Sequence, residues 1–177
     1  MDIQQYIALD KELLLNLNGS NSLFWDGFMW VATSTYIWIP TAIILLYIII
    51  KNNKIQETLL TIAMIALVIT LADQIASGVC KPYFHRFRPT QDPDIMYIVD
   101  IVNGYRGGRF GFISSHAANT FGLAFFVWFL FRKRWLTVFM MGWALLTCYS
   151  RIYLGVHYPG DLIVGTLIGL LAAYIVY

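Results

Sequence analysis

The chain has 177 residues, of which 59% are hydrophobic and only 12% charged, with a formal net charge of +2. A soluble domain carries about 25% charged residues, and a chain this short cannot wrap so much apolar surface in a polar shell. Composition therefore excludes an ordinary soluble domain. The small net charge, without a Lys-rich run or basic tail, also argues against nucleic acid as a partner.

Met1-Asp2 opens an N-terminus without the basic and apolar regions of a cleaved signal peptide, so insertion is expected to rely on internal segments. Residues 3–17 place apolar groups at roughly helical spacing. Asp10, Lys11 and Glu12 make that segment too polar to span, and it reads as an interfacial helix. Asn18-Gly19-Ser20-Asn21 is a turn signal. Ser22–Ile50 is apolar apart from Asp26 and is interrupted by Thr33-Ser34-Thr35 and Pro40. Phe24–Ala32, rich in Trp and Phe, reads as a dipping or interfacial piece, with a first span from about Tyr36 to Ile50. One long kinked helix is the alternative.

Four further apolar stretches follow: Thr58–Val79, His116–Phe131, Trp135–Ile152 and Asp161–Tyr177. Each comes near the ~20 residues that cross a ~30 Å hydrocarbon layer, some with help from flanking residues. The expected fold is an all-α integral membrane bundle of about five transmembrane helices plus an N-terminal interfacial helix or helices, one membrane-embedded domain over residues 1–177. Residues 82–113 form a polar connection too long for a hairpin, and its Tyr97, Tyr105, Phe110 and Phe112 argue against disorder. Cys80 and Cys148 lack CxxC spacing and read as small apolar fillers. Gly165 and Gly169 form a GxxxG-like pair, read as close helix packing within the chain.

Lys51 and Lys54 lie between spans one and two, and Arg132-Lys133-Arg134 between spans three and four. The positive-inside rule makes those two loops cytoplasmic. Lys81, Arg86, Arg88, Arg106 and Arg109 on the other side oppose that orientation, but most of them have a chemical use.

Because spans alternate direction, one membrane face collects the end of span two, the start of three, the end of four and the start of five. Lys81, Arg88, Ser114, Ser115, His116, Arg151, His157 and Asp161 fall there, and so do all three histidines. Ionisable groups at membrane depth are costly and mark function. Lys81, Arg88 and Arg151 can surround a phosphate, the arginines with forked donors. Ser114 adds a hydroxyl, and the first backbone N–H groups of span three point at an anion placed there. His157 and Asp161, four apart at a helix start, share a face, so the carboxylate can fix the imidazole tautomer and free the other nitrogen to attack. His116 is left as proton donor to the departing oxygen. No Asp/Glu/His set resembles a metal cage, no metal or cofactor is expected, and Asp92 and Asp94 read as members of a solvated loop. Asp73, within span two, needs a partner, expected to be a basic residue of the site. His85 reads as structural. Arg106 and Arg109 either hold a second anionic group, such as a headgroup, or solvate a loop.

At these residues the sequence resembles a known family. Lys81-Pro-Tyr-Phe-His-Arg-Phe-Arg88-Pro89 is similar to the first signature of the type 2 phosphatidic acid phosphatase superfamily. Ile113-Ser114-Ser115-His116 resembles its second, usually Pro-Ser-Gly-His, and Ser150-Arg151 through His157 to Asp161 matches the third. The signatures occur in the family's order over residues 81–161. Ile113 and Ser115 depart from the pattern, which bears on the pocket's shape rather than on the reaction. The resemblance implies a metal-independent two-step hydrolysis. In it His157 becomes phosphohistidine and Asp161 orients it. His116 serves the leaving group and then water, while Lys81, Arg88, Ser114, the Ser115 backbone and Arg151 bind phosphoryl oxygens. The implied substrate is a membrane lipid carrying a phosphomonoester or diphosphate, such as undecaprenyl diphosphate, phosphatidylglycerol phosphate, phosphatidic acid or lipid A. The site would face the periplasm from the inner membrane. A flippase for anionic lipids, using the cations only for binding, is the alternative of a different class.

Overall fold

The computed structural model describes residues 2–20 and 22–177. Asn21, the last residue of the expected turn signal, lies outside them. The described residues form eight α-helices. The first, α1 (Ile3–Leu17), begins with a reciprocal cap: Gln5 N–H donates to Asp2 at 2.8 Å, and the Gln5 side chain accepts from Asp2 N–H at 3.1 Å. Its Leu14 is fully buried while Ile3, Tyr6 and Leu13 stay exposed, as an interfacial helix requires.

The Trp- and Phe-rich piece is a separate helix, α2 (Leu23–Thr33), ended by the extended backbone of Ser34. A 3-10 turn over Thr35–Ile37 leads into α3 (Trp38–Asn52), so the single kinked helix is not formed. Pro40 sits in the first turn of α3, where its missing N–H costs nothing. Next, α4 (Ile55–Asp73) passes through a π-helical segment, Gln74–Cys80, into the short α5 (Lys81–Phe84). The last three helices are α6 (Ser115–Phe131), α7 (Arg134–Tyr153) and α8 (Pro159–Val176).

Three segments are both long and apolar enough to cross a membrane: Thr35–Asn52, the continuous Ile55–Phe84, and Pro159–Val176. Ser115–Phe131 is apolar but shorter, and α7 carries Arg134 and Arg151 at its ends. Of the five expected spans, these two therefore depend on packing as well as hydropathy. Indeed α6 is the central helix, packed against α4, α7 and α8. Outward-facing Ile43, Leu59, Leu60, Val138, Ile163 and Leu167 remain exposed, an apolar belt suited to lipid.

The closest helix pair depends on glycine. A Cβ on Gly165 would meet the Ser114 carbonyl oxygen at 2.6 Å, and one on Gly169 would meet the Ala118 carbonyl oxygen at 2.5 Å. The GxxxG-like pair thus seats α8 on α6 within one chain. Either glycine changed to Ala should push the helices apart and lower thermal stability in detergent. Gly165→Ala should also lower the turnover of the folded fraction by about tenfold, because displacing reacting groups by ~1 Å costs up to about a hundredfold. Gly169→Ala, one turn deeper, should spare the turnover of what remains folded. Equal losses of turnover would contradict that distinction.

Lys133 Nζ donates to Asn52 Oδ1 at 3.1 Å, so the two basic loops meet at one end of the bundle. The 82–113 connection covers the other end and is anchored by buried Ile95, Val99 and Val102. Asp92 and Asp94 are not merely solvated: Lys11 reaches them at 3.0 and 2.6 Å. Folding α1 beneath the connection creates those pairs.

Candidate active site

At the covered end, α4–α5 delivers Lys81, the connection delivers Arg88, the start of α6 delivers Ser114, Ser115 and His116, and α7 delivers Arg151 from its last turn. His157 lies in the α7–α8 turn and Asp161 in the first turn of α8. Arg88, Ser114, Arg151, His157 and Asp161 are all buried, and Ser115 and His116 are half-buried. The structure thus gathers the residues singled out from sequence.

The His157–Asp161 pairing does not arise from a shared helix face, because His157 precedes α8. Tyr158 is the N-cap and Pro159 the first helical residue, a position where proline is favoured. Asp161 turns back to accept Tyr158 N–H at 3.1 Å, and the same oxygen lies 3.3 Å from His157 Nδ1. A helix-capping interaction therefore aims the carboxylate at the imidazole. On the other side of the ring, Arg88 Nη1 stands 3.1 Å from His157 Nε2 and also donates to the Val156 carbonyl at 3.0 Å. Arginine can only donate, so Nε2 carries the lone pair and Nδ1 the hydrogen. Burial first, then the charges of Arg88, Arg151, Lys81 and Arg86, hold His157 well below the usual imidazole range. It is a neutral base with its free nitrogen turned toward a cation.

Lys81 Nζ donates to Ser77 at 3.1 Å and to Ser115 at 3.2 Å. The serine that departs from the family pattern therefore supplies a partner for the lysine. Ser114 caps α6 by accepting Ala117 N–H at 3.4 Å, and its backbone N–H donates to the Asp161 carbonyl at 3.2 Å. Arg151 donates to Thr33 at 2.5 Å and lies 5.8 Å from the Tyr105 ring. Arg88 Nε and Arg151 Nε are buried without a partner among the described residues. Burial first, then the charge of Arg151, pushes the Arg88 equilibrium down. These cations repel one another and retain unused donors, a situation that an anion relieves.

Other expectations are revised. Asp73 accepts from Ser77 and Asn119, each at 3.3 Å, and is linked to Lys81 through Ser77. Among the described residues no basic side chain pairs with it, because Lys81 turns toward Ser77 and Ser115. Arg106 is exposed and zipped to the connection: it donates to the Thr90 carbonyl at 2.8 Å, and Thr90 donates back at 2.6 Å. Arg109 is exposed against the rings of Phe87 and Phe110. Both stand at the rim rather than among the buried cations. His85 packs on Phe110. Among the described residues no group of three or more His, Cys, Asp or Glu side chains is placed to hold a metal.

Two residues escaped sequence reasoning. Arg86 Nη1 donates to Asp161 Oδ1 at 2.9 Å, and Arg86 Nη2 reaches Asp10 at 2.7 Å. Arg86 stands at an unspecified position between Lys81 and Arg88, and Asp10 lies some 150 positions from its partner Gly160. No local signal links them.

A buried neutral imidazole between a carboxylate and a cation, ringed by further cations, suits nucleophilic attack on phosphorus. Carried at one end of an apolar helical bundle, it defines the class of integral membrane phosphatases. The PAP2 superfamily profile matches residues 62–177. A Lipid A 4'-phosphatase of Bacteroides thetaiotaomicron is 48% identical over 170 residues, covering 96% of this chain and 76% of that protein. One of Porphyromonas gingivalis is 35% identical over 175 residues, covering 99% of this chain and 74% of that protein. The crystal structure of Aquifex aeolicus LpxE superposes with a TM-score of 0.72 at 26% identity, covering 93% of this chain and 92% of that one. The chain belongs to the PAP2 superfamily and is a membrane lipid phosphatase.

Proposed function

We propose that this enzyme removes a phosphate from lipid A by way of a phosphohistidine. The observation that carries the mechanism is His157, held neutral with Nδ1 on Asp161 and Nε2 toward Arg88. Nε2 attacks phosphorus and the P–O bond to the lipid breaks. His116 gives its proton to the departing oxygen. Water then attacks the phosphohistidine, His116 takes a proton from it, and the P–N bond breaks to release phosphate. Lys81, Arg88, Arg151, Ser114 and the Ser115 N–H hold the non-bridging oxygens, whose charge changes most along this path. The names of the two relatives above support lipid A as the substrate.

Purified enzyme in detergent, offered lipid A, undecaprenyl diphosphate, phosphatidylglycerol phosphate and phosphatidic acid, should release phosphate fastest from lipid A. Mass spectrometry should show product lacking one phosphate, and release should persist in EDTA. Preference for another lipid would overturn the substrate assignment, and loss of activity restored only by a divalent ion would overturn the mechanism. Binding without release would favour a flippase.

The site should open to the periplasm from the inner membrane, since it lies at the end opposite Lys51, Lys54 and Arg132-Lys133-Arg134. In a background lacking Cys80 and Cys148, an impermeant thiol reagent applied to cells with a permeabilised outer membrane should label a cysteine at position 107 and spare one at position 54. The reverse pattern would place the site in the cytoplasm.

A further inference from the structure

Among the described residues the Asp161 carboxylate has three partners through two oxygens, and the contact to His157, at 3.3 Å, is the longest. The Tyr158 N–H at 3.1 Å and Arg86 Nη1 at 2.9 Å are closer. The carboxylate is therefore oriented by its backbone cap and by Arg86. A guanidinium fixed at one corner still rotates, but here both terminal nitrogens and one face are held. Its other terminal nitrogen lies 2.7 Å from Asp10 Oδ2, and its Cζ lies 4.0 Å from the centre of the Tyr158 ring.

Both supports are themselves braced. The second Asp10 oxygen accepts Gly160 N–H at 2.8 Å, in the first turn of α8. A Cβ at residue 160 would come within 2.8 Å of the Asp10 carboxylate, so glycine permits this approach. The Tyr158 hydroxyl donates to Asp92 at 2.7 Å, and Lys11 holds Asp92 at 3.0 Å. Two adjacent residues of α1, Asp10 and Lys11, thus clamp the turn that carries His157 and Asp161. Arg86 spends its paired donors on protein carboxylates and stands apart from the cations with unused nitrogens, Arg88 and Arg151.

We propose that Arg86 and Asp10 are positioning residues, so that the N-terminal helix is a working part of the site: Arg86 holds the Asp161 carboxylate against His157, and Asp10 holds Arg86. This rests on the reading of His157 as nucleophile and Asp161 as its orienting group. Arg86 and Asp10 touch no reacting atom, so they should govern how often His157 is correctly aimed rather than how well the lipid binds.

The test is steady-state kinetics on lipid A in detergent for Asp10→Asn, Arg86→Gln and the double variant, with rates per folded, monodisperse enzyme. Losing the outer partner of an oriented histidine costs about tenfold to a hundredfold in related settings. Arg86→Gln should lower kcat about a hundredfold and Asp10→Asn about tenfold, with KM changed less than about twofold. Because Asp10 acts through Arg86, the double variant should be no worse than Arg86→Gln alone. Single-turnover quenching should show slower phosphohistidine formation, and Arg86→Lys should recover part of the loss. A merely structural role would reduce the yield of folded protein and leave kcat per folded molecule unchanged, overturning the proposal. A rise in KM at constant kcat would overturn it by making Arg86 a substrate contact, and so would losses that multiply in the double variant. If Arg86→Gln does not fold, Asp10→Asn and Arg86→Lys carry the same kinetic test. His157→Ala separates the two levels: an active His157→Ala removes the nucleophile reading itself, whereas an inactive one beside normal Asp10→Asn and Arg86→Gln removes only this inference.

Discussion

Replacing His157 with Ala should abolish turnover, by about a millionfold if its loss resembles the removal of a covalent nucleophile elsewhere. No neighbour can substitute. Lys81, Arg88 and Arg151 are cations, and Ser114 lies on another helix with its oxygen accepting the α6 cap. The fold should survive, because among the described residues the ring makes two side-chain hydrogen bonds, to Arg88 and Asp161, while the helices are held together by other contacts. Wild-type enzyme quenched during turnover should carry an acid-labile phosphoryl group on the peptide containing residue 157, absent from the variant. Retention of a tenth of the wild-type rate would remove His157 from this role. A pH dependence follows from the same environment. Attack needs an unprotonated Nε2, and burial followed by the surrounding cations lowers the His157 equilibrium. Its free-base form is therefore kept as pH falls, and kcat/KM should not decline with an ordinary imidazole midpoint of about 6.5. Comparing lipids of different phosphate acidity separates the substrate's own titration, which moves with the lipid, from that of the enzyme, which does not. An enzyme midpoint near 6.5 on the acidic limb would contradict the environment described for His157.

The second large effect is expected at His116. Its imidazole stands in the first turn of α6, half-buried and without a hydrogen-bond partner among the described residues. It follows Ser114 and Ser115 at the start of α6, where Lys81 reaches Ser115 at 3.2 Å, so it stands beside the cations of the site. A lipid or sugar alkoxide is a poor leaving group and needs a proton as the P–O bond breaks, whereas an activated aryl oxide needs little help. His116→Ala should therefore lower turnover of lipid A by about 10²–10⁴-fold, the usual contribution of a general acid. Loss on an aryl phosphate should be at least about tenfold smaller in ratio. Equal losses on both substrates would show that His116 serves binding or packing instead. The alanine variant should also accumulate more phosphohistidine on the aryl substrate, because the activation of water in the second step is impaired as well.

The sequence by itself determined that this chain is a membrane helical bundle, and it placed the principal ionisable residues at one end. Apolar runs near the span length admit little besides helices in lipid, since backbone groups there must bond within their own segment. Alternation of spans then assigns Lys81, His116, Arg151 and His157 to one face without any coordinates. The three signatures sharpened this because phosphate chemistry needs particular residue types at fixed spacing around short turns, and such local patterns survive in one dimension. Tertiary structure decided what lies between those signatures. Only the folded chain shows that Asp161 reaches His157 through the α8 cap rather than along a helix face. Only there do Asp92 and Asp94 acquire Lys11 as a partner, or does Arg106 turn to Thr90 instead of into the site. The role of α1 was likewise invisible: Asp10 makes its segment look interfacial, and nothing nearby indicates that it meets Arg86 and Gly160. The physical reason is common to all of these. Hydropathy and helical periodicity are properties of neighbours along the chain, whereas the partner of a charged side chain is fixed by which helices pack together, through contacts such as Asp10 on Gly160 that carry no signature in either segment alone.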